Sequence, residues 1–137
     1  MGTDKALLEI AGRPMYQRVQ KAMVDAGVSE VFALGGTDLI SLRKINDYVP
    51  GEGPLSALIG GLSGVGSLLV CPCDVPTISA TGLKQILARA TETEAKAVIA
   101  KSNRLEPLIG YYSKSCLATL TSAWSAGTRA PRDVLKL

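Results

Sequence analysis

Between Gly53 and Cys73 the sequence runs for 21 residues without a formal charge. An unbroken helix of that length spans a bilayer, and Gly60-x-x-x-Gly64 is a spacing that pairs membrane helices. The run is broken, however, by Pro54 and Pro72, by Gly60, Gly61, Gly64 and Gly66, and by Ser56, Ser63 and Ser67. Those residues divide it into a helix over 54–63, a glycine turn and an apolar strand over 67–73. A strand without polar alternation is what a parallel sheet covered by helices on both faces demands. The run therefore reads as the centre of a soluble α/β core.

The flanking chain continues the alternation. Residues 6–10 are short and apolar and end in the turn Gly12-Arg13-Pro14. Pro14 suits the first turn of a helix running to Ala26, with Met15, Val19, Ala22 and Met23 on one face and Gly27 as its stop. Residues 30–34 are β-rich and close on Gly35-Gly36. Residues 37–53 are polar and weakly periodic, ending in the turn-rich Asp47-Tyr48-Val49-Pro50-Gly51-Glu52-Gly53-Pro54. Ser79 is placed to cap a helix through Thr91 with Leu83, Ile86, Leu87 and Ala90 inward. Strands follow at 97–100 and 107–112, then a helix over 115–126 stopped by Gly127, and a tail with Arg129, Arg132 and Lys136. Strands and helices alternating at these lengths predict one α/β domain of 137 residues with a mostly parallel sheet.

Composition narrows the chemistry. The chain has 47% hydrophobic residues, 20% charged residues and a net charge of +3, too mild to argue for nucleic acid. One Phe, one Trp and four Tyr offer no base-stacking platform. Histidine is absent, which removes imidazole metal sites, Ser–His and Cys–His nucleophiles and the commonest general base. Chemistry must then run on carboxylates, cations, backbone amides or a bound metal. Cys71, Cys73 and Cys116 form no disulfide framework and read as reduced thiols of a cytoplasmic protein. Met1-Gly2 lacks the Ser or Thr at position six that myristoylation wants, and charges at Asp4, Lys5 and Glu9 argue against a signal peptide.

In open α/β sheets ligands bind beyond the carboxyl ends of the strands. Asp74 stands there, directly after the apolar strand. It reads either as a cap for the following turn or as a Mg²⁺ ligand, since hard cations take one or two carboxylates plus phosphate oxygens. Asp47 heads the glycine–proline turn and reaches toward the same mouth. Lys5 reads as a solvated lysine or as a phosphate contact. Gly51-Glu52-Gly53-Pro54-Leu55-Ser56 opens a helix with free N–H groups and a positive end, a setting that favours anions. Together these describe a phosphate-and-magnesium site.

Met1-Gly2-x-Asp4-Lys5-Ala6-Leu7-Leu8, Gly12-x-Pro14, Pro50-Gly51-x-Gly53-Pro54-Leu55 and Cys73-Asp74-x-Pro76 occur in order. In that order they resemble the molybdenum cofactor guanylyltransferase family, over residues 1 to about 112. Glu106-Pro107-Leu108 sits where that family has a short motif ending in Pro. The resemblance implies a Rossmann-like three-layer αβα fold of the nucleotide-diphospho-sugar transferase type. It implies that Lys5 contacts the nucleotide phosphates, that Asp47, Gly53 and Pro54 join it in nucleotide binding, and that Asp74 coordinates Mg²⁺ near the GTP. Arg129 or Arg132 matches, loosely, a basic residue facing the pterin.

The family also has a strand and a glycine-rich loop before the Met-Gly block, and a strand and helix after the equivalent of Leu137. The resemblance thus implies that the 137 residues are the interior of a longer polypeptide, a nucleotidyltransferase domain incomplete at both ends. The reaction implied is transfer of GMP from GTP to the terminal phosphate of Mo-molybdopterin with release of pyrophosphate. GTP and Mo-molybdopterin are then the partners, with transient contact to molybdoenzymes or their chaperones, and no nucleic acid or membrane. Because the nucleophile is a phosphate monoester, largely dianionic at neutral pH, no histidine base is required. The alternatives are transfer of CMP to molybdopterin, transfer of GMP to another phosphorylated precursor, a non-catalytic delivery subunit, or a generic α/β domain whose turns only mimic a site.

Overall fold

The computed structural model describes residues 5–36, 38–39, 41–75 and 77–136. Met1, Gly2, Asp4 and Pro76, which belong to the motif blocks above, lie outside the described residues.

The chain begins with a 3₁₀ turn at Lys5–Leu7 and a two-residue hairpin, β1 (Glu9–Ile10) against β2 (Arg13–Pro14). Ala11 and Gly12 form its turn at φ 52° and 80°, the left-handed pair that short hairpins use. Helix α1 (Met15–Asp25) follows, with Pro14 as its N-terminal flanking residue rather than its first helical one. It buries Tyr16, Val19 and Ala22 at i, i+3 and i+6. Gly27 ends it at φ 101°.

Strand β3 (Phe32–Leu34) pairs in parallel with β4 (Arg43–Ile45), and the segment read as non-periodic loop therefore contains a strand. Its pattern is masked because Arg43 and Lys44 are exposed at a sheet edge. Their side chains are spent locally: Arg43 lies 4.7 Å above the Phe32 ring and Lys44 pairs with Asp38 at 3.4 Å. Charged edge strands are a common guard against edge-to-edge pairing.

The uncharged run folds into α2 (Pro54–Gly64) and β5 (Leu68–Val70). At 11 residues α2 does not cross a membrane, and no described helix is long and apolar enough to do so. Helix α3 (Ala80–Thr93) starts where Ser79 accepts a hydrogen bond from the Gly82 N–H at 3.1 Å. Strands β6 (Ala97–Lys101) and β7 (Leu105–Tyr112) form a hairpin closed over Ser102–Arg104. Helices α4 (Leu117–Ser125) and α5 (Pro131–Val134) complete the chain. The tail thus holds a helix the sequence reading left out, anchored by buried Pro131 and Val134.

The α/β class stands, with a refinement of the expected parallel sheet. In the sheet β5-β7-β6, the central strand β7 runs antiparallel to both neighbours, so β5 and β6 share one direction. The cause is local: a three-residue turn between β6 and β7 permits only an antiparallel return.

Side chains alternate across this sheet and define three layers. Leu68 and Val70 pack into a core with Leu55, Leu58, Ile59 and Leu62 of α2, Leu120 and Ala123 of α4, and Val134 of α5. Leu69 and Cys71 face the other way, onto Ala22 and Ala26 at the end of α1 and Leu83 of α3. The first core is the drier one, since Leu55, Ile59 and Leu62 are wholly inaccessible. Burying such a side chain contributes about 1.5–3 kcal/mol.

Candidate functional site

Two glycine-bearing turns meet at one end of the molecule. The first follows β3, where Gly35 and Gly36 take φ 59° and 67°. The second is the loop from Asp47 to Gly53 that enters α2, with Gly51 and Gly53 at φ 77° and 90°. Gly53 has ψ −170°, a conformation only glycine adopts readily. Gly35, Gly36, Asp47, Gly51, Gly53 and Pro54 all line one cleft of about 930 Å³.

The loop is held by its own helix. The Ser56 hydroxyl is fully buried, donates to the Val49 carbonyl at 2.8 Å and accepts from the Val49 N–H at 2.6 Å. The Tyr48 N–H donates to the Ser56 carbonyl at 3.0 Å. Gly60 meanwhile has no room for a side chain, because a β-carbon there would run into the Asn46 carbonyl. These contacts place Asp47 against the turn after β3.

Asp47 is the one side chain among the described residues with a buried oxygen lacking a hydrogen-bond partner, its Oδ1. A buried acceptor left unmade costs about 1–3 kcal/mol. Its orientation is fixed by Gly35, where any β-carbon would fall on the carboxylate. Beside it, α2 begins without a side-chain cap, and Pro54 at its first turn has no N–H of its own. The amides of the first turn and the positive end of the helix dipole are left for an anion. The cleft therefore offers an anchored carboxylate for a donor group and a helix end for a negative one.

The sequence candidates divide in three. Asp47, Gly53 and Pro54 converge on the cleft. Lys5 and Asp74 are exposed and each sits one residue from the cleft wall, beside Ala6 and Cys73 respectively. Arg129 and Arg132 are not among its lining residues. Arg129 lies 3.9 Å above the Trp124 ring and donates to the carbonyls of Trp124 and Thr128 at 2.8 and 2.9 Å. Trp124 in turn meets Tyr48 edge-on at 6.0 Å.

Residues 1–136 match the family described as MobA-like NTP transferase domain. The chain belongs to that family. Among the relatives of this transferase domain is a probable molybdenum cofactor guanylyltransferase of Flavobacterium johnsoniae, 29% identical over 98% of the chain and 73% of that protein. Another, from Pelotomaculum thermopropionicum, bears the same description and is 32% identical over 92% of the chain and 63% of that protein. The molybdenum cofactor guanylyltransferase of Pseudomonas fluorescens is 32% identical over 97% of the chain and 70% of its own length.

Among solved structures, molybdopterin-guanine dinucleotide biosynthesis protein A of Archaeoglobus fulgidus superposes with TM-score 0.73 at 20% identity, over 98% of this domain and 72% of that chain. The 2-C-methyl-D-erythritol 4-phosphate cytidylyltransferase of Thermus thermophilus gives 0.69 at 15%, over 96% and 78%. At such identities the likeness is one of fold.

The transferase domain's cleft also contains features that sequence reasoning passed over. Gly35-Gly36 entered only as a strand stop, although paired glycines directly after a strand are the signal for a backbone that a ligand approaches closely. Ser56 entered as a break in the apolar run and as the last residue of the helix-opening turn, and its role in tying Val49 has no local signature. Cys71 is half-buried in the cleft wall, and burial pushes its thiol up to about 11, so it stays protonated and is a poor metal ligand at neutral pH. No group of three metal-binding side chains occurs among the described residues. A divalent cation here would have to share its shell with substrate phosphates. That is the ordinary arrangement for Mg²⁺, and the exposed Asp74 carboxylate, which enters none of the described ion pairs, fits it.

Proposed function

We propose that this domain transfers GMP from GTP to the terminal phosphate of Mo-molybdopterin, forming the guanine dinucleotide form of the cofactor and releasing pyrophosphate. An oxygen of the acceptor phosphate attacks the α-phosphorus, the bond from that phosphorus to the bridging oxygen breaks, and pyrophosphate leaves. The observation that carries the reading is the buried, unpartnered Oδ1 of Asp47 beside an uncapped helix N-terminus in a family of NTP transferases.

In this reading Asp47 accepts a hydrogen bond from a donor group of the nucleotide. The first-turn amides of α2, with Gly51 and Gly53 giving close backbone approach, receive its phosphates. Lys5 adds a positive charge to the triphosphate. Asp74 would hold Mg²⁺ together with the phosphate oxygens, and the ion would neutralise charge on the leaving pyrophosphate. The acceptor dianion needs no base, which agrees with a chain that has no histidine. A cytoplasmic location, where GTP and reduced thiols coexist, belongs to the same reading.

The test is a side-by-side incubation of the domain with Mo-molybdopterin, Mg²⁺ and either GTP or CTP labelled at the α-phosphate. The expected result is a labelled dinucleotide with GTP and pyrophosphate in equal amount. Transfer from CTP in preference to GTP assigns the sister activity, and absence of transfer from either overturns the proposal.

A further inference from the structure

One aromatic contact joins the loop that carries Asp47 to the C-terminal helices. Tyr48, directly after Asp47, is 51% exposed, yet its ring meets Trp124 of α4 edge-on, with centroids 6.0 Å apart and planes at 86°. Edge-to-face is a favoured arrangement for such a pair. Among the described residues the Tyr48 side chain enters no hydrogen bond, so the ring contact is what fixes it.

Trp124 is itself held on two sides. Its indole packs against the core shared by α2, α4 and α5. Helix α4 then ends in a reversal. Gly127, at φ 98°, donates to the Trp124 carbonyl at 3.0 Å, and the Thr128 N–H reaches back to the Ala123 carbonyl at 2.9 Å. The reversal returns Arg129 over the helix end. Its guanidinium covers one face of the indole at 3.9 Å while donating to the Trp124 and Thr128 carbonyls. A planar cation seated on an aromatic face and hydrogen-bonded beside it restrains the ring it covers. The indole therefore keeps one orientation toward Tyr48.

The ties from α2 hold the loop along one side only. The Ser56 hydroxyl bonds the backbone of Val49, the Ser56 carbonyl takes the Tyr48 N–H, and the bare Gly60 position admits the Asn46 carbonyl. A segment tied along one side can still turn about that line. Gly51 and Gly53, both in the left-handed region, lower the resistance to such a turn. The contact from α4 supplies the second side.

We infer that Trp124, clamped by Arg129, is a positioning residue for Asp47, holding residues 47–53 in their nucleotide-binding form through the ring of Tyr48. The inference rests on the reading of Asp47 as a nucleotide ligand. Neither Trp124 nor Arg129 lines the cleft, so both act through the loop and not on the substrate.

GTP affinity is measured by calorimetry for the unaltered chain, Tyr48→Leu, Trp124→Leu, the double variant and Trp124→Phe. Amide exchange of the nucleotide-free proteins is followed alongside. Each Leu variant is expected to bind GTP roughly three- to tenfold more weakly and to exchange faster at Gly51, Glu52 and Gly53 than elsewhere. The double variant should be no weaker than the worse single one, because the two rings act as one contact. Trp124→Phe, which keeps a ring, should recover most of the affinity. Trp124 is the one tryptophan of the chain, so its fluorescence reports the clamp directly. Arg129→Ala should make that fluorescence more readily quenched by acrylamide. Tyr48 is exposed, so Tyr48→Leu carries the test where Trp124→Leu does not fold. Additive losses of affinity, a Phe variant as weak as the Leu one, unchanged loop exchange or unchanged quenching overturns the inference. An unaltered chain that does not bind GTP fails the nucleotide reading instead, and loop exchange then decides whether the rings hold the loop.

Discussion

The carboxylate of Asp47 occupies the space that a β-carbon on Gly35 would need. One residue ends a strand and the other begins a loop, and their approach aligns the buried Oδ1 with the cleft. Replacing Gly35 with Ala adds both this collision and a side chain at φ 59°. Gly35→Ala is expected to lose about 1–3 kcal/mol of stability and to weaken GTP binding at least tenfold. Urea denaturation and a GTP titration measure the two effects, and a variant unchanged in both would place Asp47 elsewhere.

In the proposed reading Asp47 holds its binding role at the expense of stability. Its orphaned oxygen is a liability in the free protein, so Asp47→Leu is expected to be neutral or stabilising, by up to about 1–2 kcal/mol. The same variant should bind GTP at least tenfold more weakly. Loss of stability with retained binding would contradict the placement.

Ser56 closes both backbone groups of Val49 from inside α2. Ser56→Ala leaves that N–H and carbonyl without their partner and should cost about 1–3 kcal/mol. Hydrogen exchange should quicken at Val49 and along Tyr48–Gly53 before it does elsewhere, because the loop is released while the helix stays packed. Uniform loss across the chain would argue that the bonds serve only global stability.

Asp74 is exposed, so its removal should not disturb the fold. Asp74→Ala is expected to lower nucleotidyl transfer by roughly 10²–10³ with an unchanged circular dichroism spectrum and melting temperature. Full activity at limiting Mg²⁺ would remove Asp74 from the metal assignment.

Alkaline pH should unfold the domain through its thiols. Burial raises Cys71 from 9.0 to about 11, so between those values it is protonated when folded and ionised when unfolded. The unfolded chain then binds fewer protons, and stability falls with rising pH, by at most about 1.4 kcal/mol per unit for this group. Cys116 and Tyr112 are raised by burial as well and act in the same direction. Urea midpoints at pH 7.5, 9 and 10.5 should fall across the series, less steeply in Cys71→Ala; a flat series would refute the burial of this thiol.

Much of the chain is legible from spacing alone. Helix α3 follows from Ser79 and the recurrence of Leu83, Ile86, Leu87 and Ala90, because capping and a 3.6-residue period are local properties. The division of the uncharged run into α2 and β5 follows from Pro54 and the glycines. Strand β4 was hidden because its outward residues are charged, and α5 because four residues carry too little periodicity. Of the candidate site, Asp47, Gly53 and Pro54 were found from turn chemistry. Gly35 and Ser56 were not, since their parts in the site depend on what lies opposite them in space.

Residue type and near-neighbour period were enough for most of the elements, the α/β class and the apolar core segments. The tertiary structure alone decided the reversal of β7 within its sheet, the engagement of Arg129 with Trp124 away from the cleft, and the seating of Asp47 against Gly35. The physical reason is common to these cases: each is a contact between segments far apart in the chain, set by close packing and hydrogen-bond satisfaction, which no local pattern encodes.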